Sequence, residues 1–231
     1  MDFQPIIDFD KQLLLMLNGS ESLFLDSMVM TLTTAWMWVP LYISLLIIVI
    51  KNSDTSVRIL LTIASAGLCV LLAGTIDDTI VKPLVGRWRP TRDPEIGLLV
   101  DIVDGYRGGD YGFFSAHAAN TFSIAIFFSW LVRSRLLTVA LVLWSLTNCW
   151  TRLYLGVHFP GDILVGLCWG GLVGTGVYFL FYRYLIAKLT WTPTYTSLAY
   201  TKTGFYRNDA DVPVCILTFT LIYVALRACL A

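Results

Sequence analysis

Six long stretches of apolar residues, each free of formal charge, recur along the chain. They are Ser27–Ile50, Ile59–Ile76, Tyr111–Val132, Leu136–Thr151, Ile163–Tyr182 and Val212–Leu226. A helix needs about 20 residues to cross roughly 30 Å of hydrocarbon. The first, third and fifth stretches reach that length with 24, 22 and 20 residues, and the others do so once their flanking ends are counted. Apolar positions do not alternate with polar ones, as the run Leu45-Leu46-Ile47-Ile48-Val49-Ile50 shows, which excludes the strands of a β-barrel. Lipid leaves no water for unpaired backbone groups, so helices are predicted. Ahead of the first stretch, residues 5–18 interleave apolar and charged positions, opened by Pro5 and closed by Asn18-Gly19. They predict a short helix that lies at the membrane interface or extends the first span. The expected fold is all-α: one polytopic domain over 1–231, with six transmembrane helices and a short N-terminal interfacial helix.

Composition agrees with the pattern. Apolar and aromatic residues make up 57% of the chain and charged residues 14%, against about 25% charged in a soluble domain. The mean hydropathy is +0.71. A soluble globule and a disordered chain are both excluded. Sixteen basic residues against sixteen acidic ones argue against a nucleic-acid binder. The five cysteines are odd in number and lack a CxxC pair, so they read as small buried hydrophobes, not as disulfides or a zinc site. The first residues, MDFQPIIDFDK, are acidic where a cleavable signal is basic, so insertion is expected to rest on the spans.

Charge orients the spans. Loops that follow odd-numbered spans carry eight cations (Lys51, Arg58, Arg133, Arg135, Arg183, Lys188, Lys202 and Arg207) and three acids, a net of +5; the opposite side has a net of −5. Lys and Arg alone are tied at eight each. Four on the second side (Lys82, Arg87, Arg89 and Arg152) have a chemical use, and setting them aside leaves eight against four. The odd loops are then cytoplasmic.

Three clusters of ionisable residues fall at span ends on the outer side. Charges at a membrane edge are costly and mark function by default. Lys82 and Arg89 bracket a Pro- and Gly-broken turn and suit an anion with several oxygens. Ser115, a candidate N-cap, opens the third span, whose first turn holds His117 and whose positive end points outward. Arg152 ends the fourth span; Gly156 allows a turn, Pro160 opens the fifth span, and Asp162 lies four residues after His158. That spacing lets the carboxylate fix one ring nitrogen of His158 and leave the other free as a nucleophile. Two histidines, a carboxylate, three cations and a helix N-terminus make a kit for phosphoryl transfer through a phosphohistidine.

The sequence K-x6-R-P, S-x-H and R-x5-H-x3-D resembles the type-2 phosphatidic acid phosphatase superfamily, in its branch of bacterial membrane lipid phosphatases. The motifs cover 82–162 and the span layout extends the likeness over most of the chain. The resemblance implies His158 as nucleophile, Asp162 as its orienter and His117 as general acid. Lys82, Arg89, Ser115, Ala116 and Arg152 would bind the phosphoryl oxygens. It implies no metal and no cofactor, and an active site facing the periplasm from the bacterial cytoplasmic membrane. Substrates implied are undecaprenyl diphosphate, lipid A phosphate, phosphatidylglycerophosphate or phosphatidic acid. Two positions depart from the pattern: Ala116 stands where the family commonly has glycine, and Thr151 where it commonly has serine.

Enzyme and carrier remain distinct classes. A carrier for anionic lipids wants charges near mid-span, whereas here they gather at one face. A phosphotransferase, with a second acceptor replacing water, shares every motif. Loop 91–110 either covers the site, hinged at Gly108-Gly109, or is a solvated surface. Trp191, Tyr195, Tyr200, Phe205 and Tyr206 suit the cytoplasmic interface.

Overall fold

Four helices start at a hydroxyl. Ser22, Thr55, Ser115 and Ser134 each accept a backbone N–H from three residues onward, at 3.4 Å. Proline opens others, at Pro5, Pro160 and Pro213. A computed structural model describes residues 3–189 and 197–230; the expectations for Trp191 and Tyr195 lie outside them. The helices are α1 (Gln4–Leu17), α2 (Leu23–Leu32), α3 (Ala35–Lys51), α4 (Ser56–Val85), α5 (Ala116–Val132), α6 (Arg135–Tyr154), α7 (Pro160–Leu189) and α8 (Arg207–Cys229). Among the described residues there is no strand, only two isolated bridges.

Helices α4, α6, α7 and α8 are long and apolar enough to cross a membrane. Helices α2 and α3 meet at 69° and make a fifth crossing if they are one broken span. The break falls within the first apolar stretch, which therefore does not run straight: the chain turns at Thr33-Thr34, and Trp38 Nε1 donates to the exposed end of α2 at Leu32 O, 3.0 Å. Helix α5 is apolar but has only 17 residues.

Helix α4, which holds the second apolar stretch, corrects the sequence reading. It does not stop at Ile76 but continues through wider, π-type turns to Val85, where Gly86 closes it in the left-handed conformation (φ 61°). Charges at Asp77 and Asp78 do not end it because Lys82, one turn on, pairs with both. The cysteines also differ from expectation. All five are free, but Cys168, Cys215 and Cys229 are exposed at the apolar exterior, and only Cys69 and Cys149 are buried.

Helix α5 runs through the middle of the bundle, with Phe127, Ala125 and Val132 fully buried. Its closest neighbour is α7, which offers three glycines one turn apart. A Cβ at Gly166, Gly170 or Gly174 would lie 2.7, 2.5 or 2.4 Å from the carbonyl oxygens of Ser115, Ala119 and Ser123. Small residues at this spacing let two helix backbones meet. Helix α1 packs across one end of the bundle, burying Leu14 against Ile96, Val100 and Phe159.

Gly170→Ala should force α5 and α7 apart and destabilise the protein by about 1–3 kcal/mol. Gly176→Ala, where an added Cβ meets nothing within 4 Å, should be neutral or stabilising. Thermal melting of the two variants in detergent tests the seam; equal melting temperatures would show that it carries no constraint.

Candidate active site

The ends of four helices converge at one end of the bundle. The end of α4 brings Lys82, the start of α5 brings Ala116 and His117, and the end of α6 brings Arg152. The turn before α7 brings His158. All five, with Arg89, line one cavity of about 480 Å3. Ser115 and Asp162 stand fully buried behind it. Every residue singled out in the three motifs is therefore in or against one site.

His158 is held on two sides. Its ring is 1% exposed. Arg89 Nη1 lies 3.2 Å from Nε2 and also donates to Val157 O at 3.1 Å. A guanidinium only donates, so Nε2 is the nitrogen with the lone pair and Nδ1 carries the proton. Nδ1 lies 3.7 Å from Asp162 Oδ2, longer than a hydrogen bond. Burial pushes the ring's pKa down to about 4, a shift that Asp162 opposes and Arg89 reinforces. The imidazole is thus neutral at pH 7, with its Nε2 lone pair taken up by Arg89 at the cavity wall.

Asp162 is fixed from several directions. Its Oδ2 accepts the Phe159 N–H at 3.0 Å, closing the first turn of α7. Its Oδ1 accepts from Arg87 Nη1 at 2.7 Å. Its carbonyl accepts the Ser115 N–H at 3.2 Å, which ties the first turn of α5 to that of α7. Arg152, 2% exposed, is aimed by Thr151, whose Oγ1 accepts from Nε and Nη2, both at 3.2 Å. The threonine hydroxyl thus has a definite task. Tyr106 adds its hydroxyl at 3.3 Å from Arg152 Nη1, with its ring 5.8 Å from the guanidinium carbon. His117 opens onto the cavity, and its ring makes no hydrogen bond to the described residues.

Asp10, Asp77 and Asp78 organise the site but were not singled out from sequence, and Arg87 was named only as a cation with a chemical use. Asp77 and Asp78 hold Lys82, with Asp77 Oδ2 at 3.0 Å from Nζ, and Asp77 Oδ1 accepts the Phe114 N–H at 3.1 Å. Lys82 is therefore a cation already in a carboxylate grip. Arg87 bridges Asp162 and Asp10 of α1, with Nη2 2.7 Å from Asp10 Oδ2, and stacks over Phe159 at 4.2 Å. Asp10 Oδ1 also accepts the Gly161 N–H at 2.8 Å. A signal for Arg87 existed. Residues 87–89 pair with 110–112 in extended form (Trp88 bridges Tyr111), so Arg87 and Arg89 point to one side and Trp88 to the other.

Loop 91–110 lies over the site and contributes Tyr106, Gly108 and Gly109 to the cavity wall. Gly108 has φ 67°, and an added Cβ would sit 3.1 Å from Arg89 Nη1, so glycine lets the loop close on that arginine. Among the described residues no group of three His, Cys, Asp or Glu side chains could hold a metal ion.

Comparison with known proteins gives three findings. Residues 55–186 match the family described as the PAP2 superfamily. The chain is 45% identical over 184 residues to a protein of Bacteroides thetaiotaomicron named lipid A 4'-phosphatase, covering 79% of this chain and 80% of that one. It is 34% identical over 192 residues to a protein of the same name from Porphyromonas gingivalis, covering 80% and 77%. No solved structure gives a significant match.

Two outcomes are expected. Nitrogen-15 shifts of the His158 ring should stay those of a neutral imidazole as pH falls from 7 past the ordinary midpoint of 6.5, because its folded pKa is about 4. Between those two values the unfolded chain binds a proton that the folded chain does not, so stability should fall as pH drops through that window. A ring that titrates at or above 6.5 would contradict the burial argument. Separately, Arg87→Met should lower stability by about 2 kcal/mol, because Asp162 loses a charged donor; an unchanged melting temperature would make the Asp10–Arg87–Asp162 bridge incidental.

Proposed function

The chain belongs to the PAP2 superfamily, and we propose that it is a membrane lipid phosphatase acting through a phosphohistidine, without a metal. The observation that carries this reading is the convergence of both histidines and three cations on one cavity. In this reading the substrate's phosphoryl oxygens lie against Lys82, Arg89 and Arg152 and the backbone N–H groups at the start of α5, next to Ser115 and Ala116. His158 Nε2 attacks phosphorus, and Asp162 steadies the positive charge that develops on the ring through Nδ1–H. His117 gives its proton to the departing lipid oxygen. It then takes a proton from water, which attacks the phosphohistidine, releases inorganic phosphate and returns His158 to its neutral form.

The substrate we propose is a lipid A-type saccharide lipid carrying a phosphomonoester. Support comes from the two relatives, one 45% identical over most of its length. A cavity of about 480 Å3 admits a sugar phosphate while the acyl chains stay in the bilayer. In this proposal all six helical units cross the bacterial cytoplasmic membrane, α1 lies at its outer interface, and the site faces the periplasm. The charge count along the loops supports that orientation.

Purified protein should release phosphate from the 4' position of lipid A, read by fragmentation mass spectrometry of the lipid product, and should do so in the presence of a chelator. His158→Ala should lower the rate at least about a thousandfold and Asp162→Asn at least about tenfold, with unchanged helical content. Parental turnover by His158→Ala would sink the mechanism. Release from phosphatidic acid or undecaprenyl diphosphate, but not from lipid A, would reassign the substrate.

A further inference from the structure

A second cavity, of about 420 Å3, lies at the opposite end of the bundle. It forms where α4 and α6 begin and α5 and α7 end, and a turn over 200–206 closes it. That turn is fixed: Thr201 N donates to Phe205 O at 2.8 Å, Thr203 Oγ1 to Val132 O at 3.0 Å, and Tyr206 N to Asn52 Oδ1 at 2.8 Å. Among the described residues, the lining holds four cations, Arg58, Arg133, Arg183 and Lys202, and no carboxylate. Arg58 is paired with Asp54 at 3.1 Å. Among the described residues, Arg133, Arg183 and Lys202 have no carboxylate within 4.0 Å. Arg133 and Arg183 instead lie over the rings of Trp130 and Phe179.

The preference of cytoplasmic loops for cations explains which end these residues occupy, but not their convergence on one concavity. Lys51, at the same end, is neutralised by Asp209 at 2.6 Å. Position 133 is informative. It ends α5 at φ 56°, where glycine is the usual residue, yet the chain places an arginine there. Like charges held together without counter-charges repel, and an anion with several oxygens relieves that repulsion.

We propose that this cavity binds a phosphate-bearing anion at the membrane face opposite the catalytic site. Two sources share that chemistry: the headgroup of an anionic phospholipid in the adjoining leaflet, and a soluble phosphate or pyrophosphate. The cavity volume is within the ordinary range for small-ligand sites.

The test compares the parent with Arg133→Gly/Arg183→Gln/Lys202→Gln. The glycine keeps the left-handed turn while removing a charge. In one arm, native mass spectrometry follows retention of phosphatidylglycerol, with diacylglycerol as the phosphate-free control. In the other, calorimetry follows inorganic pyrophosphate. Each cation removed near a phosphate should cost about fivefold in affinity, so the triple variant should lose about a hundredfold in one arm. Loss for phosphatidylglycerol identifies a lipid headgroup, and loss for pyrophosphate a soluble anion. Should the triple variant melt early, Lys202→Gln alone, at an exposed position, should still lose about fivefold. Binding in neither arm, or binding that the substitutions leave unchanged, overturns the proposal. Phosphate release from a soluble aryl phosphate should be unaffected, which separates this outcome from the catalytic reading.

Discussion

The contact between α5 and α7 decides where everything else can sit. Three glycines on α7 face three carbonyl oxygens of α5, at a separation no larger residue permits. The first of these contacts, Gly166 on Ser115, lies one turn from Asp162, whose carbonyl accepts the Ser115 N–H. Packing and hydrogen bonding thus fix the same two helix starts in register. One of them bears His117 and the other follows His158. The histidines meet because two backbones can touch, and not through any attraction between the rings.

Electrostatic order within the site has a nested form. His158 is placed between Arg89 and Asp162, Asp162 between Arg87 and the Phe159 N–H, and Arg87 between Asp162 and Asp10. Lys82 has its own pair of carboxylates, and Arg152 its own threonine and tyrosine. Each of these charges is held by a neighbouring side chain or backbone group. Such support converts flexible side chains into a fixed arrangement.

Much of this was legible in the chain. Caps at Ser115 and Pro160, the end of α6 near Arg152 and the His158–Asp162 spacing all follow from local rules, and the structure has them. The misses have separate causes. Sequence reading treats a charge as the end of a span, so Asp77 and Asp78 hid the last turns of α4, where Lys82 neutralises them. No local pattern signals that Asp10, 77 residues away from Arg87, would be its partner. The break at Thr33-Thr34 was invisible because both sides of it are equally apolar. The glycines of α7 were readable as a stripe at Gly166, Gly170 and Gly174, although their partner helix was not.

The position of α5 has a consequence for the candidate site. The first turn of α5 lines the candidate site and loop 91–110 folds over it, and Arg152 and His158 there are only 2% and 1% exposed. Mobile ions of the surrounding solution have little access to such a site. The attraction between its cations and a phosphate is then screened far less by salt than the same charges would be on an open surface.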